Sequence, residues 1–237
     1  MDIIGTALLE YHNGERNRRL MIHRDDGFCE PLPPAAFFAD APLPHEADIL
    51  GSPTGPVLDI GCGAGRHLLW LRERGIAATG LDVSSGALET CRLRGCRDVL
   101  RADVLAPGAL HGLGPFATIL LFGQNIGLGV TPRGVGALLR TLAPLLTPEG
   151  RIVFTSVDTR LRKQIAHVTY RQANVAAGRP PGHNRFRLEY DGTFGPWFDW
   201  LYLGPEKAAK LAATCGFQAT RTVRWQPETY AMELRRV

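Results

Sequence analysis

The chain of 237 residues has no long apolar run, few cysteines and little net charge. No apolar stretch approaches the ~20 residues of a membrane span, and the first residues lack the basic-then-apolar pattern of a secretion signal. The five cysteines are an odd number without zinc-like spacing, which predicts reduced thiols in a cytoplasmic protein and no bound metal. A formal net charge of +4 is too small to indicate a nucleic-acid partner.

The sequence also lacks both common phosphate-binding loops. Val57 to Ile60 is typical of a buried parallel strand, and it runs into a turn with three glycines, namely Gly61, Gly63 and Gly65. The sixth position from Gly61 is Arg66, so the dinucleotide fingerprint fails, and no Gly-Lys-Ser/Thr follows. A carboxylate at Asp59 would repel a pyrophosphate and attract a cation. The pattern favours a ligand with positive charge here, such as S-adenosylmethionine (SAM).

Two further carboxylates follow at the ends of the next predicted strands. Residues 76–82 end in Asp82, close to the ~20-residue offset at which a strand-end acid binds ribose hydroxyls. Residues 99–104 contain Asp103, which can accept a hydrogen bond from an adenine amine. A glycine turn followed by these two acids predicts an adenosyl site.

These features together resemble a class I SAM-dependent methyltransferase of the bacterial small-molecule type. Asp59 to Gly65 matches the family motif Asp-x-Gly-x-Gly-x-Gly. Residues 118–125 resemble the fourth strand with its following loop, and 147–154 resemble the turn before the fifth strand. The resemblance covers about residues 56–157. It implies SAM as the cofactor and methyl transfer as the reaction.

The resemblance places the cofactor among residues of the glycine turn, the strand ends and the N-terminal helix. The expected cofactor-binding residues are Tyr11, Asp59, Gly61, Cys62, Gly63, Gly65, His67, Asp82, Val83, Asp103, Val104, Phe122, Gln124 and Asn125. Within this set, Cys62 is expected to pack rather than to act as a nucleophile. Tyr11 is expected either to cover the sulfonium by a cation–π contact or to pack on the core.

Two residues are candidates for catalysis. Asn125 follows the fourth strand, where its carboxamide would bind the SAM ammonium or a substrate amine, or else bond the backbone. Tyr170 lies on a predicted helix over 159–177 and either faces the substrate or belongs to a solvated face. Eight Arg or Lys residues between Arg151 and Arg187 form either a solvated surface or a pocket rim that attracts an anion.

The predicted fold is α/β: a Rossmann-like, doubly wound, mostly parallel seven-stranded sheet with an antiparallel edge strand. Residues 1–55 are expected to form an N-terminal cap, with a short helix from Ile3 to about Asn13 and a proline-rich stretch after residue 30. Residues 56–237 would be the SAM-binding domain. Within them, 158–203 would add a helix and a hairpin on the substrate side.

The loop after the fourth predicted strand bears on the substrate. Gly123 to Ile126 lacks the Asp/Asn-Pro-Pro-Tyr/Phe segment of enzymes that methylate base amines. We expect a small-molecule substrate, an amino acid derivative or secondary metabolite, with no nucleic-acid or membrane partner, in a monomer or homodimer. Two alternatives stay open: an enzyme that cyclises the aminobutyrate part of SAM and releases methylthioadenosine, and a non-catalytic SAM-binding protein.

Overall fold

The computed structural model describes residues 1–237, which form twelve strands and seven α-helices. The strands are β1 Leu20–Arg24, β2 Cys29–Pro31, β3 Val57–Ile60, β4 Ala78–Asp82, β5 Val99–Arg101, β6 Phe116–Leu121, β7 Leu146–Val157, β8 His183–Tyr190, β9 Thr193–Phe194, β10 Phe198–Leu201, β11 Phe217–Arg224 and β12 Thr229–Arg236. The helices are α1 Ile3–His12, α2 Pro44–Leu50, α3 Arg66–Glu73, α4 Ser85–Leu93, α5 Pro132–Leu142, α6 Ile165–Ala176 and α7 Pro205–Ala213.

Seven strands form the central sheet in the order β11-β12-β7-β6-β3-β4-β5. The strands from β3 to β7 pair in parallel, as βαβ crossovers require, and β12 runs antiparallel to both of its neighbours. The predicted Rossmann-like α/β fold is confirmed. The reversed strand, β12, lies one position in from the edge, and the edge strand β11 runs in the same direction as β7.

Both faces of the central sheet are covered, as expected for strands that are apolar on both sides. Leu58 and Leu121 point into the larger core beneath α5 and α7. Their neighbours Val57 and Leu120 point to the opposite face, where they pack with residues of α2 and α3. None of the helices has the length and apolar character needed to cross a membrane.

A second, antiparallel sheet has the strand order β10-β8-β1-β2, with β9 paired to β8. The predicted hairpin supplies β8 and β10, whose register pairs Phe198 with Phe186. The sequence analysis predicted no strand before residue 56. Strand β1 nevertheless pairs with β8 along its whole length, from Leu20 opposite Tyr190 to Arg24 opposite Phe186. The N-terminal segment and the addition after β7 therefore share one sheet.

The helix predicted over 159–177 begins later, at Ile165. Residues 159–164 instead form a loop around Asp158, which is buried and is bound by both Arg160 and Arg224. A buried carboxylate needs such partners. The ion pairs of Asp158 therefore hold these residues in a loop, although their apolar spacing is helical. Arg162 of this loop lies in the site described next.

Candidate active site

A cavity of about 510 Å³ opens at the carboxyl ends of β3 and β6. One wall is the glycine loop, residues 61–65, of which Gly61 to Gly63 line the cavity. The opposite wall is the inner face of the second sheet. Ile4 of α1 and Phe37 also contribute, so the N-terminal segment covers part of the opening. Ligands of open α/β sheets bind at this end of the strands.

The glycine loop is held against the loop that follows β6. Asn125 Nδ2 donates hydrogen bonds to the carbonyl oxygens of Ile60 at 2.8 Å and Gly61 at 3.3 Å. Gly61 has a φ of +72°, and a Cβ on it would lie 2.2 Å from Asn125 Nδ2. A side chain cannot be accommodated at this position. Asn125 thus lies in the cavity wall and fixes the glycine loop through its amide.

Gln124 adopts a left-handed backbone conformation, with a φ of +63°. Its backbone N–H donates to Thr155 Oγ1 of β7 at 2.9 Å, which stabilises this conformation. The side chain lines the cavity beside Phe122. The structure therefore brings all three residues predicted after the fourth strand, Phe122, Gln124 and Asn125, to the cavity wall.

Asp82 lies at the end of β4 and accepts two backbone hydrogen bonds. Its Oδ2 accepts from Gly63 N and its Oδ1 from Ser84 N, both at 2.9 Å. Burial raises the pKa of this carboxyl above its usual value, although both backbone hydrogen bonds act in the opposite direction. Each oxygen keeps a lone pair for a further donor. This is the geometry needed to bind vicinal hydroxyls beside the glycine loop.

Asp103 and its neighbours lie further along the same edge of the sheet. The Asp103 side chain is exposed, and its Oδ1 accepts from Leu105 N at 2.9 Å. Val104 is buried in the core, whereas Val83 is 58% exposed. These residues and Asp82 lie outside the cavity lining. The predicted site therefore divides into a part within the cavity, at Gly61 to Gly63, and a part outside it, at Asp82 and Asp103.

Asp59 does not face the cavity. It is buried, and its Oδ2 lies 3.3 Å from His67 Nδ1. The other ring nitrogen of His67 lies 3.3 Å from Glu46 Oε2, and Arg66 Nη2 lies 2.9 Å from the same carboxylate oxygen. We call these four residues the buried ionic cluster. The expectation that Asp59 attracts a cationic ligand directly is wrong, because His67 occupies its carboxylate.

The buried ionic cluster has opposing charges in contact. Desolvation lowers the pKa of His67, but the two carboxylates outweigh it and raise the pKa to about 9. Desolvation raises the pKa of Glu46, and contacts with His67 and Arg66 more than reverse this. His67 is therefore an imidazolium at neutral pH. It joins β3, through Asp59, to α2, through Glu46, and its ring lies in the cavity wall.

Cys62 and Gly65 have packing roles. The Cys62 thiol lies 4.0 Å from that of Cys91, in a buried cluster with Cys96. A Cβ on Gly65 would lie 2.7 Å from Cys96 Sγ. Burial raises the pKa of the Cys62 thiol, which opposes formation of a nucleophilic thiolate. The expectation that Cys62 packs agrees with this arrangement.

Four aromatic residues that are not among the predicted site residues lie on the inner face of the second sheet or directly after β10. We call them the aromatic wall: Phe186, Phe198, Trp200 and Tyr202. Their ring centroids lie 6.1 to 6.3 Å from one another in the pairs Phe186–Phe198, Phe186–Tyr202 and Phe198–Trp200. The two-residue spacing of Phe198 and Trp200 indicates that both side chains lie on the same face of a strand. The sequence does not show whether this face borders the cavity, because that depends on how the strand pairs.

Comparison with known proteins agrees with this geometry. A family model described as a methyltransferase domain matches residues 57–150. A SAM-dependent methyltransferase from Bacteroides fragilis, solved with S-adenosyl-L-homocysteine (SAH), has a TM-score of 0.84 at 24% identity. The alignment covers 100% of this chain and 95% of that one. Residues 57–150 therefore match a methyltransferase domain, and the whole chain shares the fold of a SAM-dependent methyltransferase.

Other solved methyltransferases share the fold at lower identity. The CcbJ methyltransferase from Streptomyces caelestis has a TM-score of 0.62 at 12% identity, with 77% of this chain and 83% of that chain covered. The glycopeptide N-methyltransferase MtfA, complexed with SAM, has a TM-score of 0.55 at 14% identity, with 81% and 91% covered. No curated protein matches the sequence.

The matched methyltransferase domain and the shared fold agree with the predicted enzyme class and the predicted cofactor, SAM. The residues present fit such a cofactor. Gly61 is exposed and Gly63 half-buried in the cavity lining, and Asp82 offers free acceptor positions beside them. The carboxylate, amide and backbone donors of this edge match the hydroxyl, amine and carboxylate groups of an adenosyl amino acid.

Two residues predicted for the methyltransferase site lie elsewhere. The Tyr170 hydroxyl donates to Asp25 Oδ1 at 2.7 Å and accepts from Arg185 N at 3.2 Å, and Tyr170 does not line the cavity. Its hydroxyl is committed to holding α6 on the second sheet, so we do not retain it as a catalytic candidate. Tyr11 also lies outside the cavity, with its ring 3.7 Å from the Arg16 guanidinium carbon.

Proposed function

We propose that this methyltransferase transfers the methyl group of SAM to a small molecule, an amino acid derivative or a secondary metabolite. The observation that carries this proposal is the shape of the cavity. A volume of about 510 Å³ lies between the glycine loop and the aromatic wall. Volumes of this size suit metabolites. In this proposal residues 1–55 form a cap over a SAM-binding domain of 56–237, in which 158–203 are an addition on the substrate side.

In the proposed binding mode, the ribose hydroxyls donate to Asp82 and the adenine amine donates to Asp103. The methionine end lies against Gly61 to Gly63 and beside Asn125. Support comes from the free lone pairs of Asp82 beside the glycine loop and from the exposed carboxylate of Asp103 after the neighbouring strand. The positively charged ammonium group of SAM is then near the carbonyl oxygen of Gly61, and Asn125 holds this carbonyl in place.

Bound SAM supplies a sulfonium leaving group, so the protein contributes chiefly alignment. Holding an acceptor in line with a methyl group is worth ~7–11 kcal/mol. Asn125 and Thr155 hold the loops on either side of Gln124 in one conformation. The aromatic wall holds the acceptor and excludes water. Gln124, with its side chain in the cavity, is placed to orient an acceptor through its amide.

Room on the aromatic side supports intermolecular transfer over cyclisation of SAM. The aromatic wall extends the cavity away from the glycine loop, and cyclisation of the cofactor alone does not need that space. The cap over the opening, with Ile4 and Phe37 in the lining, supports a small acceptor over a nucleic acid. We retain monomer or homodimer as the proposed assembly.

The by-product identifies the reaction. The protein is incubated with SAM alone and with SAM plus a metabolite extract, and adenosyl products are quantified by mass spectrometry. We expect SAH only when the extract is present. Methylthioadenosine from SAM alone would replace methyl transfer with cyclisation. SAH binding without either product across a broad set of extracts would favour a non-catalytic SAM-binding protein.

Asp82→Ala tests the binding mode. Loss of the acceptor for two ribose hydroxyls should weaken SAH binding about 10²- to 10⁴-fold, since hydrogen bonds to a charged group are each worth about 1.5–3 kcal/mol. Isothermal titration calorimetry measures the change. Asp98→Ala is the matched control, because Asp98 is an exposed carboxylate at the opposite end of β5. Equal SAH affinity in the Asp82→Ala and Asp98→Ala variants would refute the ribose assignment.

A further inference from the structure

Two arginines line the cavity, and they differ in their partners. Arg66 is paired, with its Nη2 at 2.9 Å from Glu46 Oε2. Arg162 is half-buried in the cavity lining and makes no hydrogen bond or ion pair with the protein. Among the eight basic residues between Arg151 and Arg187, it alone lines this cavity. Its neighbour Arg160 is instead neutralised by Asp158 and Glu206.

The surroundings of Arg162 belong to the aromatic wall. Its guanidinium carbon lies 5.5 Å from the centroid of the Tyr202 ring, within the range of a cation–π contact. The Tyr202 hydroxyl has no hydrogen-bond partner in the protein, and burial raises the pKa of this phenol, so it remains a neutral donor. An unpaired guanidinium and a neutral hydroxyl thus stand together against apolar rings. Both are donors suited to an anionic oxygen.

We propose that Arg162 is a specificity-determining residue that binds a carboxylate of the acceptor substrate, while the aromatic wall holds the substrate's planar apolar body. This inference rests on the proposed function, since it takes the aromatic side of the cavity as the acceptor site. The planar guanidinium binds carboxylates through two parallel hydrogen bonds, and the low local dielectric strengthens them.

A carboxylate here could come from the acceptor or from the methionine part of the cofactor. Position favours the acceptor. Arg162 contacts Tyr202 of the second sheet, whereas the glycine loop lies on the opposite wall. Glu30, the other unpaired charge in the lining, is an exposed residue of β2. Because its carboxylate would repel an anion, Glu30 cannot bind a substrate carboxylate in place of Arg162.

The test uses the full-length protein saturated with SAH. 2-Naphthoate and 2-naphthamide are titrated in turn, with benzoate and benzamide as a smaller pair, and quenching of tryptophan fluorescence reports binding. We expect each carboxylate to bind about tenfold to a hundredfold more tightly than its amide, the gain of a charge-assisted pair. Arg162→Gln should abolish this preference. Lys163→Gln removes the same charge one residue away, from an exposed side chain outside the lining, and should retain it.

Measuring SAH affinity in the same variants shows whether Arg162 binds the carboxylate of the acceptor or that of the cofactor's amino acid part. We expect Arg162→Gln to bind SAH within about twofold of the wild type. A loss of SAH affinity in that variant, with the preference for naphthoate unchanged, would place Arg162 on the cofactor and overturn the inference. Equal binding of acid and amide by the wild type would also overturn it. Failure of the wild type to bind SAH would instead contradict the proposed function.

Discussion

At the scale of single residues, the site depends on positions where no side chain fits. Gly61 combines a left-handed backbone with an Asn125 amide that a Cβ would meet at 2.2 Å. That amide holds the glycine loop through the carbonyls of Ile60 and Gly61. Backbone strain and steric exclusion therefore act on the same residue, and a matched pair of substitutions can separate them.

Gly61→Ala and Gly75→Ala form that pair. Gly75 has a φ of +67° but nothing within 4 Å of an added Cβ. Both variants should lose about 1 kcal/mol of stability from left-handed alanine. Only Gly61→Ala displaces Asn125, and it should weaken SAH binding at least tenfold. Calorimetry and thermal unfolding measure the two effects. If Gly75→Ala weakens SAH binding equally, strain alone is responsible and the steric account fails.

The relative positions of single residues could be predicted from the sequence where the motif itself determines the geometry. Gly63, Asp82 and Asn125 lie together because parallel strands end at one edge of a sheet. Tyr170 was placed from helix position alone, and a helix residue's environment depends on what packs against it. Its hydroxyl binds Asp25, which is 145 residues away in sequence. Nothing local to either residue encodes that contact.

At the scale of elements, the second sheet shows how far local pattern can go. The pair β8 and β10 was predictable, because a hairpin needs only neighbouring segments. Strand β1 acquires its structure from β8, which follows it by more than 150 residues, and the five residues of β1 show no clear alternation. The residues of the aromatic wall were consequently not among the predicted site residues, although the hairpin that carries them was predicted on the substrate side.

Helix α1 docks on α4 through a crossing of two glycines. A Cβ on Gly86 would lie 2.5 Å from the carbonyl carbon of Gly5. The same contact is stabilised by Asp2, whose Oδ2 accepts from Ser84 Oγ at 2.9 Å and from Gly86 N at 3.0 Å. Because Ser84 also donates to Asp82, this docking links the N-terminal segment to the cofactor groove.

Gly86→Ala should loosen α1 from α4 without unfolding the central sheet. The added methyl group meets backbone, which cannot move aside as a flexible side chain can. We expect hydrogen exchange in the amides of α1 to accelerate at least tenfold and SAH affinity to fall several-fold. Glu89→Ala, an exposed change one turn later in α4, is the control. Unchanged protection of α1 in Gly86→Ala would contradict the close crossing.

At the scale of the whole molecule, the order of the central strands followed from the alternation of strand and helix over residues 57–157. Right-handed crossovers leave few other arrangements. The joining of the cap to the sheet did not follow, because it depends on the buried ionic cluster. Glu46 lies in a proline-rich segment and gives no motif with His67, and only the tertiary fold brings the two together at 3.3 Å.

The buried ionic cluster should make stability depend on alkaline pH. The folded pKa of His67, about 9, exceeds the reference value of 6.5. The stabilisation is therefore complete below about pH 6.5 and is lost as pH rises through 9. Between pH 6.5 and 9.5 the wild type should lose up to about 3 kcal/mol of unfolding free energy, since each pKa unit corresponds to about 1.4 kcal/mol.

Urea unfolding of the wild type and of two variants measures this dependence. His67→Gln removes the titrating group, so its unfolding free energy should change less over the same range. It also leaves Asp59 and Glu46 without their imidazolium, at a cost of about 3–5 kcal/mol for a broken buried pair. Glu46→Gln provides a second test if the His67→Gln variant does not fold. In this variant Asp59 is the one carboxylate that remains beside His67, so the pKa of His67 falls and the loss of stability moves to lower pH. A wild-type stability that stays flat from pH 6.5 to 9.5, or an identical slope in Glu46→Gln, would show that the imidazolium does not join the cap to the sheet.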